Sequence, residues 1–202
     1  KNLFLYYFLA GLLFFVFIIL NIFSENKLIN NFMKYIFIIF RSSIVVLFIA
    51  HTFGLIARWY ISGHAPWGDA YESMIYVAWA TMGIGLLFIK KSDLTLASTS
   101  FVTSMILMIA HWNWMDPSIA NLVPVLNSYW LMIHVSVIVG SYGPFALSMI
   151  LGFVSLLLIV FITKSNKEKI KNQLSELTMI NELSVTVGLI MLTIGNFLGG
   201  MW

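Results

Sequence analysis

Four histidines are the side chains of this sequence best suited to chemistry: His51, His64, His111 and His134. A neutral imidazole binds metals through either ring nitrogen. The sequence contains no cysteine, which excludes disulfides, thiolate metal sites and a thiol nucleophile within these residues. It also shows no Ser/His/Asp arrangement, phosphate-binding loop or carboxylate pair. Binding of a metal or a metal-containing cofactor by imidazole is therefore the first chemistry to consider.

The segment 58–73 is dense in polar and aromatic side chains. Asp69 and Glu72 stand at the start of a predicted helix, where carboxylates complement the positive helix end. Capping, together with an ion pair between Arg58 and Glu72, is the simplest interpretation, and the residue types indicate no reaction. The candidate functional residues of this segment are His64, Trp67, Tyr71 and Glu72.

His134 follows Trp130 by four residues, so the two side chains share one face of a helix. The imidazole can ligate haem iron while the indole lies against the edge of the macrocycle. The alternative is a histidine hydrogen-bonded to a neighbouring helix, and spacing does not decide between the two. For His51 we favour a single interhelical hydrogen bond.

Composition identifies the class of protein that must position these residues. Hydrophobic residues make up 60% of the chain, charged residues 9%, and the mean hydropathy is +0.95. Because a soluble domain has about a quarter of its residues charged, a soluble enzyme, a nucleic-acid-binding protein and a disordered linker are excluded. We expect a polytopic protein of the lipid bilayer, with no nucleic-acid partner.

Six apolar segments are long enough to cross a membrane, which takes about 20 residues. No alternating strand pattern competes with them, so the predicted fold class is all-α, a bundle of about six transmembrane helices. Gly195 and Gly199, four residues apart in the last segment, form a weak helix-packing motif. The segments are residues 3–23, 35–57, 70–89, 94–112, 129–163 and 183–202.

The distribution of positive charge orients this bundle. Nine of the eleven Lys and Arg residues lie in the loops after the first, third and fifth segments or at the start of the second. By the positive-inside rule these loops, including the solvated loop expected at 164–171, face the cytoplasm, and both ends of the chain lie outside. His51 then lies within the bilayer. Three histidines lie at the outer face: His64, His111 and His134.

The fifth segment is long enough to raise His134 above the membrane. His134 lies thirty residues before Lys164, which corresponds to about 45 Å along a straight helix. The side chain therefore projects beyond the hydrocarbon unless the helix tilts or bends at Gly143 and Pro144.

The outer face also gathers most of the tryptophan and tyrosine residues. An interfacial aromatic belt is their usual interpretation, although the inner ends of the segments are poor in tryptophan. The alternative is an aromatic platform for a flat hydrophobic ligand whose metal is held by an imidazole. These aromatic residues are Trp59, Tyr60, Trp67, Tyr71, Trp112, Trp114, Tyr129 and Trp130.

Several motifs in order resemble the membrane subunit of System II cytochrome c synthetase, the CcsA/ResC family, which is the C-terminal half of a fused CcsBA protein in some bacteria. Arg-Trp-Tyr at 58–60 precedes Ser-Gly-His-Ala-Pro-Trp at 62–67 and Tyr-Glu-Ser at 71–73. Trp-Leu-Met-Ile-His-Val follows at 130–135, at the start of a long helix. Asn-Glu-Leu-Ser at 181–184 resembles the entry to the next helix of the family, and residues 195–202 resemble its Gly-rich stretch ending in Trp.

The resemblance implies that haem b is handled at the outer face of a bacterial inner membrane. Members of the family present haem there and attach its vinyl groups to the cysteines of Cys-x-x-Cys-His in an apocytochrome c. They work with a CcsB/ResB-type partner subunit or fused domain, so the full-length protein is expected to be a holocytochrome c synthase. Residue by residue, His134 matches the first external histidine, an axial ligand of the haem iron, and Trp130 lies beside it.

The resemblance covers residues 58–202, while residues 1–57 match only as preceding transmembrane helices. Gly68 and Asp69 stand where the family has Ser-Asn. The tryptophan-rich signature, the second external histidine and the transmembrane haem ligands find no match here. We therefore expect this sequence to be a segment of a longer protein, unable to form thioether bonds alone.

A haem-independent transporter or channel-type bundle is the alternative function, with breaks in the fifth helix and His51 forming its pathway. A cytochrome b subunit requires paired histidines facing each other within the membrane, and only His51 lies that deep. The residues alone do not assign a haem contact to His51, His64 or His111.

Overall fold

The computed structural model describes residues 2–23, 27–112, 116–119, 129–162 and 166–200. Within these ranges all regular structure is helical, which confirms the all-α prediction. Trp114, Lys164, Trp202 and the side chain of Tyr129 lie outside the described residues. The helices are α1 (Leu3–Phe23), α2 (Lys27–Ser62), α3 (Ala70–Leu87), α4 (Asp93–His111), α5 (Tyr129–Val160) and α6 (Lys167–Gly200).

Five of the six helices, all except α3, are long and apolar enough to cross a membrane. Helix α3 is the shortest, with 18 residues, and carries Glu72 in its first turn. The chain is therefore a polytopic helical membrane protein, as its composition predicts.

The helix bounds agree with the apolar segments except where a helix continues into polar sequence. Helix α2 begins at Lys27 rather than at residue 35, and α6 begins at Lys167 rather than at residue 183. The expectation of a loop at 164–171 is therefore wrong from Lys167 onward. Hydropathy detects only the apolar part of a helix. Tertiary contacts hold the polar start of α6: Ile170 is buried, and Lys169 donates a hydrogen bond to the Ile22 carbonyl at 3.2 Å.

Helix α4 lies at the centre of the bundle, against α1 and α3. Its buried face is rich in serine and threonine, and small side chains allow helix backbones to approach closely. A Cβ atom on Gly11 of α1 would lie 2.8 Å from the Phe101 backbone nitrogen, and Ser100 Oγ donates to the Tyr7 carbonyl at 2.9 Å. Close contact thus joins α1 to α4.

Helix α5 packs most extensively against α6 and also contacts α3. It remains one helix through Pro144. Gly143 allows the close contact with α3, because a Cβ atom there would lie 2.8 Å from the backbone nitrogen of Thr81. The long fifth helix therefore connects the α3 side of the bundle to α6.

Candidate functional site

The loop between α2 and α3 is organised around the carboxylate of Glu72, which is only 1% exposed. Asp69 is the N-cap of α3, and its Oδ1 accepts a hydrogen bond from the Glu72 backbone N–H at 2.7 Å. The Glu72 carboxylate accepts from Arg58 Nε at 2.8 Å and from the Gly68 backbone N–H at 2.9 Å. The expected capping and Arg58–Glu72 ion pair are both present. We call Arg58, His64, Gly68, Asp69 and Glu72 the loop cluster.

Arg58 also extends the loop cluster towards the segment that follows α4. Its two terminal guanidinium nitrogens donate to the carbonyls of Pro117 and Ser118 at 3.1 and 3.2 Å. The guanidinium carbon lies 5.0 Å from the centre of the Tyr71 ring, a cation–π distance. The Ser118 backbone N–H donates to Asp116 at 2.9 Å, which lowers the pKa of that exposed carboxyl. One arginine thus fixes two loops and one aromatic ring.

His64 is the imidazole of the loop cluster. Its Nδ1 lies 3.1 Å from the Ala65 carbonyl and 3.8 Å from Glu72 Oε2. The Ser62 hydroxyl donates to the His64 carbonyl at 2.9 Å, and the chain turns at Gly63 with a φ of 71°, a conformation that favours glycine. The imidazole is therefore held by a tight turn beside a buried carboxylate.

Trp67 begins a line of aromatic rings that runs from the loop into the bundle. Its ring centre lies 5.8 Å from that of Trp59 and 5.1 Å from that of Tyr76, which lies 5.9 Å from Trp79. The Tyr76 hydroxyl donates to the carbonyl of Ser136 on α5 at 3.4 Å. This line connects the loop to α5 two residues beyond His134.

His134 lies in the contact between α5 and α6. Its Nδ1 is 2.7 Å from the carbonyl of Gly195. A carbonyl only accepts, so Nδ1 carries the proton and Nε2 keeps its lone pair. A Cβ atom on Gly199 would overlap with His134 Cε1, so the ring packs directly on that glycine. We call His134, Ser148, Asn181, Gly195 and Gly199 the α5–α6 seam.

The rest of the seam is also built from short side chains. Ser148 Oγ donates to Asn181 Oδ1 at 2.5 Å, and a Cβ atom on Gly195 would lie 2.5 Å from Ile138. Asn181 lies well inside α6 rather than at a helix entry, so the predicted entry at 181–184 is wrong. The polar first half of α6 extends the helix beyond the apolar run.

Trp130 stands one helical turn before His134, with 54% of its surface exposed. In the sequence prediction, Trp130 and His134 share a helix face. The structure places one at the exposed start of α5 and the other against α6.

His51 does not make the interhelical hydrogen bond that we expected. It is only 3% exposed, and among the described residues neither ring nitrogen has a hydrogen-bond partner. The centre of the Tyr7 ring lies 6.1 Å from that of the His51 ring. His111, at the end of α4, lies beside Phe4, with the two ring centres 5.1 Å apart. The Ile75 carbonyl of α3 lies near the His51 ring without reaching hydrogen-bond geometry, so the expected interhelical hydrogen bond is not formed in this structure.

The structure thus brings His64, Tyr71 and Glu72 together, with Trp67 on the adjoining aromatic line. It places His134 in the separate seam, two residues before Ser136, whose carbonyl accepts from the Tyr76 hydroxyl. Nowhere in the described ranges do three histidine or carboxylate side chains converge on a common metal position. A metal at the seam would be held by a single protein imidazole.

The sequence assigned Gly195 and Gly199 to a helix-packing motif, and both pack against α5. It did not assign Tyr76. The spacing of the two glycines indicates a helix-packing face, but not which side chain packs there. Tyr76 carries no local signal, because its partner Ser136 is 60 residues away. Contacts between distant helices decide both positions.

This fold and these contacts define a polytopic helical membrane protein with a dense polar and aromatic loop at one end. The family model for the cytochrome C assembly protein matches residues 67–202. The chain therefore belongs to the cytochrome c assembly family, and the resemblance proposed from its motifs is confirmed.

Individual relatives agree with this family. Protein NrfI of Wolinella succinogenes is 47% identical over 158 residues, which are 78% of this chain and 17% of NrfI. The cytochrome c biogenesis protein CcsA of Prochlorococcus marinus subsp. pastoris is 30% identical over 228 residues, 95% of this chain and 69% of CcsA. CcsA of Chlamydomonas reinhardtii is 31% identical over 157 residues, 73% of this chain and 44% of that protein. The chain spans a small part of NrfI and about two thirds of the first CcsA.

Proposed function

We propose that the protein binds haem b as a substrate at its outer face and presents it for covalent attachment to apocytochrome c. Membership of the cytochrome c assembly family supports the process. The cytochrome c biogenesis relatives support it as well. The haem-binding region lies within residues 58–202, preceded by the membrane helices of residues 1–57.

The observation that carries the proposal is the hydrogen bond between His134 Nδ1 and the Gly195 carbonyl at 2.7 Å. Histidines that bind metals almost always donate their other ring N–H to a carbonyl or carboxylate, which fixes the tautomer and the ring orientation. The same bond leaves Nε2 of His134 as the nitrogen able to ligate iron. From the sequence, an interhelical hydrogen bond and binding of iron were alternative roles for His134. With this geometry the same side chain can have both roles.

The other predicted residues have supporting roles in this proposal. Trp130 offers an exposed indole one turn from His134. His64, Trp67, Tyr71 and Glu72 form a rigid loop whose aromatic line reaches α5 through Tyr76. In this proposal the chain holds and orients haem.

The charge distribution supports an orientation in the bacterial inner membrane. The basic residues in the first half of α2, in the α3–α4 connection and in the first half of α6 lie at the opposite end of the bundle from the loop cluster, which contains Arg58. By the positive-inside rule the loop cluster faces outwards, where the apocytochrome would meet it. Thioether formation is assigned to the full-length protein with a CcsB/ResB-type partner subunit or fused domain. The transporter alternative has no contact in the described residues that favours it.

Two substitutions of His134 in the full-length protein test the ligand role. His134→Ala removes both the hydrogen bond and the ligand. His134→Asn keeps a side-chain N–H near the position of Nδ1 but removes Nε2. We expect both variants to lose most co-purified haem and to mature little cytochrome c, measured by haem absorbance and by covalently bound haem in the cytochrome.

Tyr142→Phe, which changes an exposed side chain elsewhere on α5, is the control and should retain both signals. If His134→Asn retains haem and cytochrome maturation while His134→Ala loses them, His134 serves only to join the helices.

A further inference from the structure

An open cavity of about 440 Å³ lies at the end of the bundle opposite the loop cluster. The end of α1, the first half of α2 and the first half of α6 form its walls. Its volume falls within the range of about 300–1,000 Å³ that is usual for small-molecule sites. The cavity is far along the bundle from the candidate residues of the outer face, so it requires an explanation of its own.

The cavity lies at the level where a bilayer has its lipid headgroups. The apolar stretch of α1 that could cross a membrane ends at Ile22, and that of α2 begins at Met33, and both residues line the cavity. On the next turn of α2, Ile38 and Ile39 are exposed on the surface of the bundle. By the positive-inside rule this end faces the cytoplasm, so a lipid of the inner leaflet meets the cavity with its headgroup.

Two lysines give the cavity an excess of positive charge. Lys34 of α2 and Lys169 of α6 line it, and Glu176 is the acidic residue of the lining. Lys169 donates to the Ile22 carbonyl at 3.2 Å, which holds its ammonium group at the cavity wall. Basic pockets between transmembrane helices on the cytoplasmic side bind anionic lipid headgroups. The charges therefore favour an anionic ligand.

The rest of the lining matches the other parts of a phospholipid. Asn172 and Gln173 of α6 provide side-chain amides, which can donate to phosphate oxygens and accept from hydroxyl groups. Met33 and Phe37 of α2 provide apolar surface for the first carbons of the acyl chains. Inorganic phosphate would leave that apolar surface in contact with water. A lipid is therefore a better match than a soluble anion.

We propose that this cavity binds the headgroup of an anionic glycerophospholipid of the phosphatidylglycerol class, with its phosphate beside Lys34 and Lys169. A lipid bound there bridges the polar start of α6 to α1 and α2. The site lies at the opposite end of the bundle from the loop cluster, so the proposal does not depend on haem binding at His134.

The test uses native mass spectrometry to count the lipid molecules that stay bound to the purified full-length protein. Dioleoylphosphatidylglycerol and dioleoylphosphatidylcholine are added to separate micelle samples at equal concentration. We expect one phosphatidylglycerol to be retained under conditions that remove phosphatidylcholine. Lys34→Gln changes an exposed side chain and removes one positive charge from the cavity, so the affinity for phosphatidylglycerol should fall about fivefold.

Lys171→Gln is the matched control, because Lys171 is an exposed lysine of α6 that does not line the cavity. It should retain phosphatidylglycerol as the unsubstituted protein does. Equal losses for Lys34→Gln and Lys171→Gln would show a general attraction between a basic surface and anionic lipid, and would overturn the site.

Two further results would overturn the ligand. Equal retention of phosphatidylcholine and phosphatidylglycerol would exclude an anionic headgroup as the selected feature. If equilibration with inorganic phosphate beforehand prevents retention of phosphatidylglycerol, the cavity binds free phosphate and the lipid is the wrong source. A count of bound lipid requires no haem, so its failure is distinguishable from a failure of the haem proposal.

Discussion

The loop cluster and the α5–α6 seam hold their histidines in different ways. In the loop cluster, His64 lies beside a buried carboxylate that already accepts from Arg58 and Gly68. In the seam, His134 makes one bond to a backbone carbonyl and packs on a glycine. Charge therefore fixes the loop, whereas close packing of small residues fixes the seam and leaves one imidazole nitrogen uncommitted.

The loop cluster and the seam should therefore have different roles at the end of the bundle that we propose binds haem. A network of opposite charges is rigid as long as every partner is present, because an unpaired buried charge is strongly destabilising. A seam of glycine, serine and asparagine depends on steric fit and on hydrogen bonds that are individually weak in membranes. Substitutions in the loop cluster should therefore change mainly the stability of the protein. Substitutions in the seam should change mainly the position of the His134 side chain.

Glu72→Gln should have the largest effect on stability. Arg58 Nε and the Gly68 N–H donate to different oxygens of the carboxylate, and the carboxamide replaces one of these acceptors with an NH₂ group that cannot accept. Arg58 would lose its buried counter-charge, and we expect the free energy of unfolding to fall by about 3–5 kcal/mol. Titration of the purified protein with SDS in mixed micelles measures this loss.

Asp69→Asn is the matched control within the same cluster. Asp69 lies 3.9 Å from Arg58 and is more exposed than Glu72. Asparagine caps a helix as well as aspartate does, so the loss should stay below about 1 kcal/mol. Equal losses for the two substitutions would show that burial of Glu72 does not set the stability of the loop.

Ser148→Ala should have a much smaller effect, in the seam. It removes the hydrogen bond from Ser148 Oγ to Asn181, and interhelical hydrogen bonds in membranes contribute about 0.6 kcal/mol. The same SDS titration measures it, with Thr193→Val as control, because Thr193 Oγ1 bonds only within α6. A loss as large as that of Glu72→Gln would contradict the contrast between charged loop and packed seam.

The sequence predicts helices well where a single physical property determines them. The bounds of α1 agree with those of its uncharged run, because the helix is apolar along almost its whole length. The start of α6 was not predictable from hydropathy, because Lys167 to Asn181 is a polar helix held by tertiary contacts such as Lys169 to the Ile22 carbonyl.

At the candidate site, a contact within one loop was predictable from the sequence, whereas a contact between distant helices was not. Arg58 and Glu72 are 14 residues apart across one loop, so their charges suggest the ion pair. The bond of His134 to Gly195 spans 61 residues and depends on how α5 and α6 are aligned. The burial of His51 against neighbouring helices depends in the same way on tertiary packing, and no local pattern reports it.

The central claim is that the α5–α6 seam positions His134 to ligate haem iron, and two neighbouring glycines test it most directly. A Cβ atom on Gly199 would displace the His134 ring, whereas a Cβ atom on Gly200 meets no atom within 4 Å. The measurement is the haem absorbance per purified full-length protein for Gly199→Ala and Gly200→Ala, with elution volume verifying the fold. We predict that Gly199→Ala loses most of its haem or shows an altered haem spectrum, while Gly200→Ala matches the unsubstituted protein. A Gly199→Ala variant with unchanged haem content and spectrum would contradict the claim.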